Sequence, residues 1–593
     1  MWEHGGEMSY YYSTDKNVQL LLALMKEHGI RRAIVSPGTT DMKLIVSMQH
    51  DDWFELYSCV DERSAAYMAC GLASETGEPV VIACTESTAS REYIAGLTEA
   101  YHRKLPILAI TGCHAYNVIG HLEPQVIDRS VSLNDVVKFK VDLPVIKDEE
   151  DIWESNVKIN KAILGLTHRG GGPVHINLPW GGPTFDFSVK ELPKVRSIHR
   201  YDYTSDFPSL PNGRIAISIG THKDFDDQLT NSIDSFCEKH NAVVFCDHTS
   251  KYYGKYRFIP TLVVMQQVGS DIFSNIDLLI HIGEESGDDS TKKVLSQNAK
   301  EVWRVSLDGE VRDPFRKLTK IFEMDEKYFF DKYSFDKKEK YHEYLDVCKD
   351  AYNEIFENIP ELPFSSAYVA NKISSKLPSG SMMHLGPSDS IRLWNLYNLP
   401  EGVRTGMNSG CRGIDGAVSS AIGASFSKKS KFYYCIVGDL TFFYDLNSLG
   451  NKHIGNNLRI ILINNNGADL FRHNAHPLMT WVKEPDLGKY VAAEDHFGAA
   501  SRSLVKNIAE NLGFQYLYAD DKESFSESCK DFLDPNEHDK PMLFEIFTNY
   551  KIDADACDLM YHIKLDAKSQ VKSVMKNMLG DKGTGYLRKI MKK

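Results

Sequence analysis

No stretch of this 593-residue chain approaches the roughly 20 consecutive apolar residues a membrane-spanning helix needs, so no transmembrane segment is expected. Basic residues do not dominate. Lys and Arg total 68 against 81 Asp and Glu, a formal net charge of −13, which argues against nucleic acid as the main partner. The opening residues, MWEHGGEMSYYYS, lack the basic and apolar regions of a secretory signal, and a cytoplasmic location is the expectation. The 11 cysteines are an odd number with no CxxC pair. Neither a disulfide framework nor a structural zinc site is therefore expected, and the thiols read as free and mostly buried. No clear internal repeat is present.

What the chain does have is a long alternation of apolar runs and helical patterns. At roughly 150 residues per domain its length allows three or four domains. In the first region Ala33–Val35, Val80–Ala83, Ile107–Ile110 and Val174–Ile176 read as strands, with helical patterns at Lys16–Glu27 and Ser64–Glu75. In the second, Ile215–Ile219, Ala242–Phe245, Leu278–Ile282 and Val302–Val305 repeat the style. This alternation predicts an α/β protein of doubly wound parallel sheets. The division expected is 1–190, 191–360 and 361–558, with a charged, Pro- and Ser-rich linker at Lys190–Leu210 and a helix-like stretch at Asp336–Asn358. A basic tail follows at 559–593. Its Lys564, Lys568, Lys572 and Lys576 recur every four residues opposite Val571, Val574, Met575 and Met578, the spacing of an amphipathic helix.

The most informative segment is Val437–Phe471, VGDLTFFYDLNSLGNKHIGNNLRIILINNNGADLF. One apolar run, Phe432–Val437, ends in Gly438-Asp439; another, Ile460–Ile463, ends in Asn464-Asn465-Asn466-Gly467. Each reads as a buried parallel strand, with a crossover helix between them. Both polar clusters then lie at carboxyl ends of strands, where open α/β sheets bind ligands. Asp439 offers a carboxylate and Asn466 an amide oxygen, hard ligands suited to magnesium with phosphate oxygens completing the shell. Gly438 and Gly467 allow close approach of a diphosphate. Far upstream, in CVDERSAAYMACGLASETGEPVVIACTES, Glu62 stands just before a helix. The small residues Ala65, Ala66, Ala69, Gly71 and Ala73 of that helix permit close packing.

Gly-Asp, about two dozen residues and then Asn-Asn, with an acidic residue opening an early helix, resembles the thiamine diphosphate-dependent 2-oxo acid decarboxylase and carboligase superfamily. Within it the pattern is most similar to the succinyl-enolpyruvyl-hydroxycyclohexene-carboxylate synthases of menaquinone biosynthesis. The likeness runs from about Asp15 to Phe547. It is carried by SPGTT at Ser36–Thr40, DER at Asp61–Arg63, GGPVHINLPW at Gly171–Trp180, RDP at Arg312–Pro314, LGPSDSIR at Leu385–Arg392, RGIDGAVSSAIGA at Arg412–Ala424 and the segment above. The resemblance implies pyrimidine-binding, central and diphosphate-binding domains. It makes Glu62 the glutamate that hydrogen-bonds the cofactor's pyrimidine ring and favours its imino tautomer. Asp439 and Asn466 would hold Mg2+ with the Ala468 carbonyl as third ligand. Gly438, Leu440, Thr441 and Phe471 would line the cofactor, and Ile414 would wedge beneath it. Ser388 and Arg392 would face the donor substrate, and Gln125 would lie beside the active site. In the family a glutamate from one subunit meets the diphosphate site of another, which implies a homodimer or homotetramer with active sites at the subunit interface.

The departures narrow the substrate. Where the synthases have Gly-Ser-Arg-Ser this chain has Gly38-Thr39-Thr40-Asp41, and Thr111-Gly112-Cys113-His114 lacks their arginine. Ser409 stands in place of another arginine, and Glu86-Ser87-Thr88 replaces Ser-Gly-Thr. Without those cations the synthases' anionic substrates would be desolvated uncompensated. Arg412, His102, His114 and His121 are candidate replacements. The expected activity is decarboxylation of a 2-oxo acid with transfer of the acyl unit to an unidentified acceptor. The alternatives are a simple decarboxylase releasing an aldehyde and a non-catalytic cofactor-binding scaffold.

Overall fold

The computed structural model describes residues 11–266, 271–334, 342–428, 431–473, 476–536 and 538–564. In chain order the strands are β1 (Arg32–Val35), β2 (Glu55–Ser58), β3 (Val80–Thr85), β4 (Ile107–Cys113), β5 (Lys140–Asp142), β6 (Val174–Pro179) and β7 (His199–Tyr201). There follow β8 (Arg214–Ile219), β9 (Val243–Phe245), β10 (Arg257–Phe258), β11 (Ile276–Ile282), β12 (Ala299–Val305) and β13 (Leu318–Phe322). The last are β14 (Met382–Leu385), β15 (Arg404–Met407), β16 (Tyr433–Gly438), β17 (Leu458–Asn464), β18 (Gln515–Ala519) and β19 (Met542–Phe547). The chain forms two compact units, Met1–Phe207 with Asp308–Glu323, and Pro208–Leu307 with Met324–Lys593.

The first unit is built on a parallel sheet of order β2-β1-β3-β4-β6-β5. Strands β3 and β4 are apolar along their length because helices cover both faces, as crossover connections require. Val81, Ala83, Leu108 and Ile110 point to one face, with Leu21 and Leu24 of helix Lys16–Glu27 and Ile159 of helix Glu149–Gly165. Val80, Ile82, Ile107 and Ala109 point to the other, against helices Glu62–Thr76 and Thr88–Arg103. Those two helices touch through small residues: a Cβ on Gly96 would stand 2.4 Å from the Ala66 Cβ. Ala65, Ala66, Ala69 and Ala73 are buried as expected, whereas Gly71 faces open space and takes no part in the packing. The unit also holds the parallel pair β7 and β13. The sequence around β7 is polar and charged, which is why it reads as linker.

The second unit carries the parallel order β10-β9-β8-β11-β12 and a six-stranded parallel sheet, β15-β14-β16-β17-β19-β18. In the latter, Val437 pairs with Leu462 and Gly438 with Ile463, so the polar clusters after β16 and β17 lie side by side at one sheet edge. The crossover between these strands differs from expectation. Instead of one long helix there is a short α-helix, Asp439–Tyr444, and a 3-10 turn, Leu446–Gly450. The remainder, Asn451 to Asn457, is rich in Asn and Gly, poor helix formers. The Asp445 carboxylate accepts from the Ser419 N–H at 2.6 Å and its hydroxyl at 2.5 Å, holding the break.

All eleven cysteines are free, and all but Cys59 and Cys411 are buried. Helix Glu343–Phe356 occupies part of the charged stretch expected at Asp336–Asn358. The lysine-spaced helix expected in the tail lies outside the described residues beyond Lys564. No helix among the described residues is long and apolar enough to cross a membrane.

Candidate active site

A cavity of about 750 Å³ opens in the second unit, walled by residues at or just beyond the carboxyl ends of β14, β15, β16 and β17. Asp439 begins the helix that follows β16 and is 2% exposed. Its carboxylate accepts the Leu440 N–H at 2.6 Å and the Gly467 N–H at 3.0 Å. Among the described residues it has no cationic partner, and burial pushes its pKa up to about 6. An anion held this way is costly unless a cation sits on it. A Cβ on Gly438 would meet no protein atom, so that backbone faces open cavity. Gly467 has φ +144°, and a Cβ there would stand 2.5 Å from the Ala492 carbonyl oxygen.

Of the residues expected at the cofactor, Ser388, Ile414, Gly438, Asp439, Leu440, Thr441, Ala468 and Phe471 all line the cavity, as does Arg392. Asn466, at φ +63°, is not part of the lining. Its Nδ2 donates to Asp495 Oδ1 at 2.8 Å and its Oδ1 accepts the Asp495 N–H at 3.2 Å. Arg392 Nη1 lies 3.8 Å from Asp389 Oδ1. Arg412, also in the lining, is tied to Asp289 at 2.7 Å and to the Ser286 carbonyl. Ser409 is buried and receives a hydrogen bond from the Thr221 hydroxyl at 2.8 Å.

One cluster of titratable residues in this cavity escaped the sequence reading. Asp389, Asp469 and His473 line it with their ligand-type atoms all within 4.8 Å of one another. Burial, with Asp553 and Asp389 nearby, raises the Asp469 carboxyl. Burial alone would lower the His473 imidazole, but Asp469 and Asp389 raise it. Helical periodicity gave no signal for the pair, since Asp469 opens the 3-10 turn Asp469–Arg472 and His473 follows it in extended conformation.

In the first unit, Glu62 opens helix Glu62–Thr76 and is partly exposed, and Gln125 is an exposed loop residue at φ +65°. Asp41 is fully buried. Its Oδ1 accepts the Gly38 N–H at 2.8 Å, its Oδ2 has no partner among the described residues, and burial, with Glu62 adding to it, pushes its pKa up to about 7. Glu86 is buried against His114, whose backbone N–H and ring both bond to it, and lies 3.8 Å from Arg129, a residue sequence reading missed. His102 and His121 are exposed, and neither lines the small cavity beside Glu86, His114 and Arg129.

Comparison with known proteins agrees with this geometry. Residues 16–132 match the thiamine pyrophosphate enzyme N-terminal TPP binding domain, and residues 390–546 match the C-terminal TPP binding domain. The 2-succinyl-5-enolpyruvyl-6-hydroxy-3-cyclohexene-1-carboxylate synthase of Bacteroides fragilis is 32% identical over 93% of this chain and 99% of its own length. The synthase of the same name from Bacteroides thetaiotaomicron is 32% identical over 93% and 99%. That from Christiangramia forsetii is 27% identical over 91% and 97%. End-to-end similarity at this level, joined to a strand-end cavity lined mostly by the matched C-terminal segment, shows that the chain belongs to the thiamine pyrophosphate enzyme family.

Proposed function

We propose that this chain is a thiamine diphosphate- and magnesium-dependent enzyme that decarboxylates a 2-oxo acid and transfers the acyl unit to an acceptor carbonyl or alkene. The observation that carries the reading is Asp439, a buried carboxylate with backbone N–H partners but no counter-charge among the described residues, set in a strand-end cavity beside two glycines. The residues fit a metal-anchored diphosphate. Asp439 and the Ala468 carbonyl would hold the metal, joined by the Asn466 amide oxygen once it leaves the Asp495 N–H. The open backbone at Gly438 leaves room for phosphate oxygens. Thiamine diphosphate, when bound, supplies the electron sink that release of carbon dioxide from a 2-oxo acid requires. Glu62 would hold a proton at the pyrimidine ring nitrogen through a charge-assisted hydrogen bond. Leu440, Thr441, Phe471 and Ile414 would wall the cofactor. Ser388 and Arg392 would orient the substrate carboxylate, the guanidinium through paired hydrogen bonds. Gln125 would stand beside the acceptor.

Transfer is preferred to aldehyde release because the relatives are named synthases. Their named product is not assigned to this chain. Position 409 is a buried serine bonded to Thr221, Arg412 is committed to Asp289, and Thr40 bonds to Thr85 and to the Gly112 carbonyl. Around Glu62 the side chains of Val60, Tyr67 and Met68 are exposed, 84%, 48% and 55% respectively. An apolar rim beside a site residue supports burial against a second copy, and at least a homodimer is the expected assembly, in the cytoplasm. A panel of 2-oxo acids assayed for carbon dioxide release with cofactor and Mg2+ tests the reading. Glu62→Gln should keep cofactor binding and lose turnover; full turnover in that variant would refute the role of Glu62. Inactivity of the wild-type chain across the panel despite tight cofactor binding would favour a scaffold.

A further inference from the structure

The cluster of Asp389, Asp469 and His473 is not explained by the cofactor reading. His473 Nε2 lies 3.6 Å from Asp389 Oδ2 and 3.6 Å from Asp469 Oδ2. Both spacings exceed the roughly 2.7–3.2 Å of an N–H···O hydrogen bond. They are close to the separation of two ligands that share one ion: donors about 2.1 Å from a tetrahedral centre stand about 3.4 Å apart. His473 Nε2 and the other carboxylate oxygens, Asp389 Oδ1 and Asp469 Oδ1, are buried and lack hydrogen-bond partners among the described residues, and His473 and Asp469 are 8% and 6% exposed. Buried polar atoms are rarely left so, and an absent ion is one of the ordinary explanations. Asp553 adds a third carboxylate to the neighbourhood, though it is already bonded to the Ser366 N–H, Asn465 and Thr548. Arg392 is the facing cation, 3.8 Å from Asp389.

We propose that Asp389, Asp469 and His473 form a second divalent-cation site in the cavity wall, separate from the one at Asp439. One imidazole nitrogen with two carboxylates selects a zinc-class transition ion over Mg2+, which prefers an all-oxygen shell. Three protein ligands leave at least one coordination position open, and all three line the cavity, so that position faces it. It would take water or an oxygen of an acidic substrate beside Arg392.

The test needs neither thiamine diphosphate nor a 2-oxo acid, so its failure is distinct from failure of the proposed function. The full-length chain is stripped of metal, supplied with excess Mg2+ to fill the site at Asp439, and titrated with Co2+. Visible absorption is followed, and bound metal is measured after gel filtration. One retained Co2+ per chain is expected. His473→Gln and Asp469→Asn should each weaken its binding at least about tenfold, and Asp439→Asn should leave it unchanged. Because Asp469 is buried, Asp389→Asn, at a partly exposed position, provides an independent ligand test, and unfolding curves verify each variant. Co2+ kept by His473→Gln but lost in Asp439→Asn would overturn the proposal, as would wild-type chain that retains none.

Discussion

Replacing Gly467 with alanine is the sharpest structural probe of the site. The residue sits at φ +144° between Asn466 and Ala468, and an added Cβ would lie 2.5 Å from the Ala492 carbonyl oxygen and 3.2 Å from Arg472 Nη1. The nearer atom is backbone, so the strand-end loop must move. Holding an L-residue in that conformation costs about 1–3 kcal/mol. Displacing Ala492 also strains the 2.7 Å hydrogen bond it receives from the Ala468 N–H, worth about another 1 kcal/mol. A total of about 2–4 kcal/mol should lower the thermal midpoint by several degrees. The same shift pulls the Gly467 N–H off Asp439 Oδ2, a charge-assisted bond worth about 1.5–3 kcal/mol. Cofactor affinity should therefore fall about tenfold or more. Differential scanning calorimetry and calorimetric titration read the two effects separately. A Gly467→Ala chain with unchanged midpoint and unchanged affinity would show that this backbone does not shape the site.

Two further outcomes follow from the packing and the buried histidines. Gly96→Val should destabilise the first unit by more than about 2 kcal/mol, since even its Cβ would stand 2.4 Å from the Ala66 Cβ and 2.9 Å from the Ala66 carbonyl carbon; an unchanged denaturation midpoint would contradict the close helix contact. His248 and His281 are buried, and burial holds each pKa down at about 3. Their folded values lie below the unfolded value near 6.5, so below that pH the unfolded chain binds more protons, and stability falls on acidification toward pH 3. Each histidine contributes a slope of up to about 1.4 kcal/mol per pH unit within that window. Urea midpoints should drop from pH 7 to pH 5, and a flat profile would count against neutral buried imidazoles.

The parallel sheets were legible because strands covered on both faces must carry continuous apolar runs, as β3, β4 and Ile460–Ile463 of β17 do. The position of Asp439 was legible for the same reason: a polar residue that ends such a run has to stand at the sheet edge. What stayed hidden depends on groups distant in sequence. Asp389 and Asp469 meet only because β14 and β17 flank β16, and no local pattern announces that. Arg129 reaches Glu86 from a loop without periodicity. The pairing of Asn466 with Asp495 likewise joins two loop residues at positive φ. The short crossover after β16 escaped notice because apolar Phe442, Phe443 and Leu449 suggest a helix, while Asp445 and the Asn- and Gly-rich stretch beyond break it.

The central claim is that Asp439 anchors a magnesium-held thiamine diphosphate in the cavity of the second unit. Calorimetric titration of the cofactor into the purified chain, with and without Mg2+ and in Asp439→Asn, measures it directly. The account predicts Mg2+-dependent binding that weakens at least about 100-fold in the variant. A wild-type chain with no affinity for the cofactor, or a variant that binds it as tightly as wild type, would contradict it.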